Sequence, residues 1–301
     1  MASAEVNLGR VVKAPARARR WAAPSSFSQV FLLMRHQLKE YLTSRRLVVL
    51  LGIVAVMGVI ISAIVAIYRP SYLSDSLSFY YQTWSVGINT VVVATAVILG
   101  GDAIAGEFQN KTGYFLMGQP LRRATIYAGK YLAAFVSSLG ILAFFFLIFL
   151  GNGVAYFGVD ALPWQYEASL LLAIIYLAAV LGTTFLFSSL FKTSAYGFVI
   201  TAVLFLVGFS ILQLAVVDLW NTEPWYVISY TDGVIGNVLL PNIPWGFSGE
   251  ITKTISRFGP TTGNATVTYT PGIGEGVVVM LAYFLVTTIV GLILFEREEF
   301  S

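Results

Sequence analysis

The chain has 301 residues, of which 57% are hydrophobic and only 11% are charged, with a formal net charge of +3 at pH 7. A typical soluble domain carries about 25% charged residues, so a water-soluble fold could not cover this much apolar surface, and most of the chain must face lipid. The sequence has no Cys and one His. It therefore excludes disulfides, thiol nucleophiles and zinc sites built from these residues.

The N-terminal 46 residues predict a tail followed by an amphipathic helix. Residues 1–25 are rich in Ala, Arg, Pro and Ser, which is typical of a disordered basic cytoplasmic tail; an Arg-rich transit peptide is the alternative. Residues 26–46 have a basic polar face, so we expect a helix lying on the inner leaflet, the alternative being a cytoplasmic extension of the first span. Its apolar positions recur at helical spacing: Phe27, Val30, Phe31, Met34, Leu38, Tyr41 and Leu42.

Six apolar segments follow, each with about the 20 residues that a helix needs to cross a bilayer. They lie at residues 47–67, 84–105, 131–157, 168–190, 196–217 and 276–295. Lipid offers no partners for backbone polar groups, so each segment is expected to be a helix. The predicted fold class is all-α, a polytopic membrane protein whose six transmembrane helices form one domain over residues 47–301.

The distribution of basic residues predicts the orientation in the membrane. Of the 18 Lys and Arg residues, 15 fall in the N-terminal region, the second and fourth loops and the C-terminus. Because loops on the cytoplasmic side carry the excess of Lys and Arg, both termini are expected in the cytoplasm, as in a multi-pass protein of the plasma membrane. Five Trp residues agree, since they lie in or beside the outer loops: Trp84, Trp164, Trp220, Trp225 and Trp245.

The loop between the fifth and sixth spans, residues 218–275, is long and extracellular in this orientation. Its apolar pieces are interrupted by Pro and Gly, so we expect short extracellular or re-entrant helices that cap the spans. Residues 265–269 alternate between apolar and polar side chains and predict a short strand. Asn264, followed by Ala and Thr, forms a sequon for N-glycosylation on the outer side.

Residues 101–130 form a polar, basic island between the second and third spans. Residues 112–117 predict a short amphipathic helix that presents apolar side chains and ends before Pro120. Glu107 precedes it, just past the second span, and Arg122 and Arg123 follow it at the membrane surface. Taken alone, this pattern fits either a surface that grips a soluble partner or an ordinary basic connector.

The island resembles the inner-loop signature of ABC exporter permeases, the ABC-2-type superfamily. The residues that carry the resemblance are Glu107, Thr112, Leu116, Pro120, Arg123, Gly129 and Lys130. Lys111 departs from the pattern, because the family usually has Gly there. The amphipathic entry helix with its basic end at Arg45 and Arg46, the six-span layout and the long fifth loop extend the resemblance over nearly the whole chain.

The resemblance implies a membrane subunit that pairs with a second permease subunit, as a homodimer or a heterodimer, and sits on two copies of a cytoplasmic ABC ATPase. It implies ATP-driven export, with the second loop coupling the ATPase to the membrane. The expected ATPase-coupling residues are Glu107, Thr112, Tyr114, Phe115, Leu116, Met117, Pro120, Arg122 and Arg123. The chain has no GxxxxGK[ST] phosphate loop, so it is expected to be no enzyme and to bind no cofactor, with ATP bound by the partner. No nucleic-acid partner is expected.

Two other functions compete with this interpretation. A secondary transporter driven by ions usually needs ionisable groups at the middle of the membrane, and the six spans contain none there. The other function is that of a membrane scaffold or assembly factor, which would use the same inner loop to bind another protein. The sequence distinguishes this function poorly from that of a transporter subunit. The transported substrate leaves no recognisable signal, and membrane lipids are the remaining expected partner.

Overall fold

A computed structural model of the chain describes residues 26–109, 122–220, 222–246, 250–257 and 263–297. Six helical segments in these ranges are long and apolar enough to cross a membrane, which confirms the predicted all-α polytopic fold. The first three spans are α2 (Arg45–Tyr68), α3 (Ser76–Gly100) with its continuation α4 (Ala105–Gln109), and α5 (Arg123–Phe157). An additional helix, α1 (Ser26–Thr43), precedes them.

The last three spans complete a bundle in which successive helices run in opposite directions. They are α6 (Trp164–Leu190), then α7 (Ser194–Val203) continued through five π-helical residues into α8 (Phe209–Trp220), and finally α11 (Ile273–Arg297). We call the end of the bundle that holds α1, Arg45 and Arg123 the basic end. The opposite end is the hairpin end, because the strands β1 (Glu250–Arg257) and β2 (Gly263–Thr270) follow α8 there.

Local sequence signals fix several helix ends. The side chain of Ser44 accepts a hydrogen bond from the Leu47 amide at the start of α2, and Asp75 caps α3 in the same way through the Ser78 amide. Gly158 ends α5 with a φ of 83°, a left-handed conformation that Gly adopts without steric cost. These caps satisfy backbone groups that a helix end leaves without intrahelical partners.

Helices α3 and α6 lie at the centre of the bundle, whereas α2, α7–α8 and α11 are peripheral. In the most apolar stretch of each span, 72% of α3–α4 and 61% of α6 is buried inside the protein, against 22% for each of the peripheral spans. Gly182 of α6 has no room for a side chain, since a Cβ there would lie 2.6 Å from Oγ1 of Thr287 on α11. Small residues thus serve close packing within this chain.

Helix α1 packs against the start of α5 through part of its apolar surface. Gly129 allows this approach, because a Cβ there would lie 2.8 Å from the Cβ of Leu33. Tyr41 is buried, while Phe27 stays 83% exposed and Phe31 57%. The apolar side chains of α1 therefore divide between a protein-facing set and an exposed set, an arrangement that suits a helix lying beside the bundle at a lipid interface.

The structure places short helices in the loop between the fifth and sixth spans. Helices α9 (Ile228–Thr231) and α10 (Gly233–Asn237) form what we call the re-entrant pair, which is largely buried. It packs between α3, α6 and the start of α11, since a Cβ on Gly236 would lie 3.1 Å from the Cβ of Ser85. The antiparallel strands β1 and β2 follow, and β2 contains the predicted strand 265–269.

All six spans begin earlier than the sequence predicted, and two of them by eight residues. Helix α3 begins at Ser76 instead of residue 84, and α5 begins at Arg123 instead of residue 131. Consequently Trp84 lies two turns inside α3 and is fully buried, where its indole N–H donates to Oγ of Ser169 at 2.8 Å. Its predicted place at the outer interface was wrong: an aromatic residue with a polar partner can fill the core as readily as the membrane surface.

Candidate functional site

The basic end contains a bent segment, residues 101–109, which we call the elbow because it leads from α3 through a turn into α4. Lys130 of α5 reaches into it with only 8% of its surface exposed. Its ammonium group donates to Oε1 of Glu107 at 2.5 Å and to the carbonyl of Ala103 at 2.7 Å. A buried charge of this kind is stable only when it is paired and hydrogen-bonded, so Lys130 ties α5 firmly to the elbow.

Helices α1 and α2 hold the elbow from a second side. Arg46, at the start of α2, forms an ion pair with Asp102. Tyr41 of α1 donates its hydroxyl to the carbonyl of Leu99 at 2.9 Å, near the end of α3. Burial, with acidic neighbours, raises the pKa of Tyr41, so its hydroxyl stays protonated and remains a donor.

Helices α6 and α7 hold the elbow from a third side. Oγ of Ser188 accepts hydrogen bonds from the amides of Ile104 and Ala105 at 3.0 and 3.1 Å, which satisfies two donors at the start of α4. The backbone of α7 crosses the elbow closely, since a Cβ on Gly197 would lie 2.6 Å from the carbonyl oxygen of Gly101. The amide of Ser194 also donates to Oε1 of Gln109 at 2.9 Å.

Arg123 links the start of α5 to the end of α11. Its guanidinium donates to the carbonyl of Glu296 at 2.7 Å, one of the last carbonyls of the helix. A cation at a helix C-terminus is also stabilised by the helix dipole. The segments that flank residues 110–121 are thus both anchored, one through the elbow and the other through Arg123.

The structure describes three of the nine predicted coupling residues. Glu107 and Arg123 make the contacts given above, while Arg122 is exposed and immediately precedes α5. The other six lie outside the described residues: Thr112, Tyr114, Phe115, Leu116, Met117 and Pro120. Asn264 lies in β2, opposite Ser256, and its glycosylation stays a prediction.

Sequence reasoning missed the contacts of Arg46, Asp102 and Ser188. Arg46 was interpreted as part of a basic helix end, and Ser188 carries no signal, because an isolated Ser inside an apolar run is common in membrane helices. Lys130 was part of the family pattern, but nothing in that pattern pairs it with Glu107. The separation of 23 residues between them has no helical periodicity to reveal it.

A second polar site lies at the re-entrant pair. A cavity of about 150 Å³ is lined mainly by polar groups, among them Tyr81, Ser85, Asn89, Asp232 and Asn237. Asn89 donates to the carboxylate of Asp232 and accepts a hydrogen bond from the hydroxyl of Tyr176 at 3.1 Å. Burial raises the pKa of Asp232 to about 7. The hydrogen bonds from Asn89 and the Gly233 amide act in the opposite direction, since they favour the charged form.

This second site corrects one argument made from the sequence. The six spans carry no charged residue at their centres, yet the re-entrant pair brings Asp232 beside Asn89, about halfway along α3. Asn89 lies about 20 Å from the start of that helix at 1.5 Å per residue. An ionisable group therefore lies deep in the bundle. The lack of ionisable groups in the spans no longer counts against an ion-dependent step.

Comparison with known proteins gives one family. A family model described as "ABC-2 family transporter protein" matches residues 31–300, which include α2 to α11, the elbow and the re-entrant pair. No curated protein matches the chain.

Proposed function

The chain belongs to the ABC-2 transporter family, and on this premise we propose that it couples ATP hydrolysis by a separate cytoplasmic subunit to export across the membrane. As a family member, it is a multi-pass membrane permease of an ABC transporter and associates with an ABC ATPase. The proposal adds the route of coupling, which runs through residues 107–130, and the direction of transport.

The observation that carries the proposal is the contact of Lys130 with Glu107 and the Ala103 carbonyl. These contacts join the two segments that flank residues 110–121. A force applied to a loop moves the attached helices only if the ends of the loop are fixed. Here one end is tied to α3 and the other to α5, so displacement of the loop displaces both spans as a unit.

The anchored ends extend this unit to the rest of the bundle. Ser188 transmits motion of the elbow to α6, and Arg123 transmits motion of α5 to the end of α11. Interfaces of this kind shift between discrete arrangements more readily than they deform continuously. We therefore expect closure of the ATPase to move α3 and α5 first, with α6 and α11 following.

The remaining parts of the proposal follow the family resemblance. Apolar side chains of residues 112–117 insert into a groove of the ATPase, while Glu107 and Arg123 fix the loop at the membrane edge. Two ATPase copies and a second permease subunit, identical or different, complete the transporter. ATP is bound and hydrolysed by the partner, because this sequence has no phosphate loop, and this chain binds no cofactor.

The test is the substitution Leu116→Asp in the complex purified with its ATPase. If Leu116 is a desolvated anchor, the charge costs about 2 kcal/mol or more of binding, and the ATPase is released or hydrolyses ATP without transport. Leu219→Asp is the matched control, since Leu219 is 73% exposed at the far end of α8. An intact Leu116→Asp complex with wild-type transport and transport-coupled hydrolysis would overturn the coupling route. If no ATPase co-purifies with the wild type, the scaffold function is the better one.

We further propose that the basic end faces the cytoplasm of a cell whose plasma membrane holds the protein. The distribution of Lys and Arg supports this orientation. The chain has no native Cys, so single Cys residues can be placed at exposed Ser74, at the hairpin end, and at exposed Lys192, at the basic end. An impermeant maleimide should label Ser74→Cys in intact cells and spare Lys192→Cys. The opposite labelling pattern would reverse the orientation.

A further inference from the structure

The cavity beside the re-entrant pair has the chemistry of a cation site. Its polar lining consists of residues with oxygen-bearing side chains from two regions: Tyr81, Ser85 and Asn89 from α3, and Asp232 and Asn237 from the re-entrant pair. None of the described residues that line it is basic. A volume of about 150 Å³ is enough for a few water molecules at about 30 Å³ each, or for one small ion with part of its hydration shell.

None of the described residues that line the cavity supplies a cation to balance the charge of Asp232. The titratable groups that face it are Tyr81 from α3 and Tyr176 from α6, and neither side chain supplies a positive charge. Asn89 and the Gly233 amide donate hydrogen bonds to it. Hydrogen bonds disperse a negative charge without removing it, so an ionised carboxylate at this depth gains from any positive charge that the cavity admits.

The surrounding structure holds these groups in place. Oγ of Ser169 donates to the carbonyl of Ile235 at 2.5 Å and itself accepts the indole N–H of Trp84. The amide of Asn237 donates to the carbonyl of Pro271 at 2.9 Å, which leaves its own carbonyl oxygen available. Oδ1 of Asn89 accepts from Tyr176, which orients the amide of Asn89 toward Asp232. The oxygen set is therefore positioned before any ligand arrives.

We propose that this cavity binds one small monovalent cation, such as Na⁺ or K⁺, with Asp232 as the charged ligand and Ser85 and Asn237 among the neutral oxygen ligands. A single carboxylate with neutral oxygens balances one positive charge. Among the described residues no group of three His, Asp or Glu side chains is close enough to hold a metal ion, so a divalent site is not supported. The proposal stands independently of the coupling route at the basic end.

The experiment uses the full chain in lipid nanodiscs at fixed ionic strength, with Na⁺ or K⁺ replacing N-methyl-D-glucamine. The melting temperature should rise with Na⁺ or K⁺ concentration at pH 8. Asp232→Asn should abolish the response. Asp218→Asn, at an exposed position at the end of α8, should retain it. Ser85→Ala should weaken binding.

Equilibrium binding of radioactive sodium to the wild type tests the same site without a variant, so a misfolded Asp232→Asn protein does not decide the outcome. Saturable binding near one ion per chain at pH 8 supports the proposal. A melting temperature that responds equally to Na⁺, K⁺ and N-methyl-D-glucamine would overturn it, because the cavity would then take only water. Retention of the cation response in a folded Asp232→Asn protein would overturn it as well.

Discussion

Acidic side chains at the basic end and deeper in the bundle have different kinds of partner. Both ion pairs found in the described part of the chain lie at the basic end, where Arg46 pairs with Asp102 and Lys130 with Glu107. Deeper in the bundle, on the side of the hairpin end, Asp232 receives hydrogen bonds from an amide side chain and a backbone amide, and its cavity has no basic lining residue.

This difference separates two kinds of work. The two ion pairs at the basic end join α2 and α5 to the elbow, so they suit the transmission of force. A buried carboxylate with no basic neighbour among the described lining residues instead suits a site that senses its surroundings.

The largest effect is expected from breaking the buried pair at the basic end. Glu107→Ala should lower the free energy of unfolding by about 3–5 kcal/mol, because it leaves the Lys130 ammonium with the Ala103 carbonyl alone among the described residues. Unfolding of the purified protein by denaturant in mixed micelles measures the loss. The double variant Glu107→Ala/Lys130→Met should cost less than the sum of the two single variants. Simple additivity would show that the two side chains are not coupled.

The second prediction concerns the unpaired acid and is a pH dependence. The pKa of Asp232 is raised in the folded protein from 3.8 to about 7, so the folded state holds this proton more tightly than the unfolded state. Its stabilising contribution is present below about pH 4 and is lost as the pH rises to about 7, at a cost of about 4 kcal/mol at most. Asp232→Asn should remove this loss, as unfolding measured from pH 4 to pH 8 without Na⁺ or K⁺ would show. An unchanged slope would place the titration elsewhere.

The third prediction tests whether α1 is packed firmly against the rest of the basic end. Gly129→Ala introduces a Cβ 2.8 Å from the Cβ of Leu33, so α1 must shift, at a cost of about 1–3 kcal/mol. Gly140→Ala on the same helix is the control, because nothing lies within 4 Å of its new Cβ. Hydrogen exchange of α1 should accelerate in the first variant and not in the second. Equal exchange in both would mean that α1 does not depend on this contact.

The smallest effect is expected at the hydrogen bond that supports the re-entrant pair. Trp84→Phe removes the indole donor to Ser169, whose hydroxyl donates to the Ile235 carbonyl. This change should lower the free energy of unfolding by about 1 kcal/mol. Trp164→Phe, at a position that is 57% exposed, should be nearly neutral. A larger loss for Trp164 than for Trp84 would contradict the assignment of Trp84 to the core.

Much of the fold could be predicted because lipid imposes a simple rule on sequence. Runs of apolar residues long enough to cross a bilayer must be helical, and all six were found at approximately the correct positions. The beginnings of α3 and α5 were missed by eight residues, because polar residues at the end of a span are compatible with either a loop or a continued helix. The residue types of Ser76 and Arg123 do not decide between these two possibilities.

The functional sites were less predictable, because they depend on contacts between distant residues. Residues 107 and 123 were selected by family resemblance, but their partners, Lys130 and the Glu296 carbonyl, are set by how the helices cross. The depth of Asp232 was missed for the same reason. Its segment is too short and interrupted to be recognised as a span, and only packing against Ser85 and Asn89 shows how far it enters the bundle.

The central claim, that residues 112–117 join the ATPase to the anchored elbow, is tested most directly by site-specific photo-crosslinking. A benzophenone amino acid at position 116 in the purified complex should capture the ATPase subunit, and capture should change when ATP is replaced by ADP. The same group at exposed Ser74, at the hairpin end, should capture no ATPase. A complex that contains the ATPase yet gives no adduct at Leu116, or gives one at Ser74, would contradict the proposed coupling route.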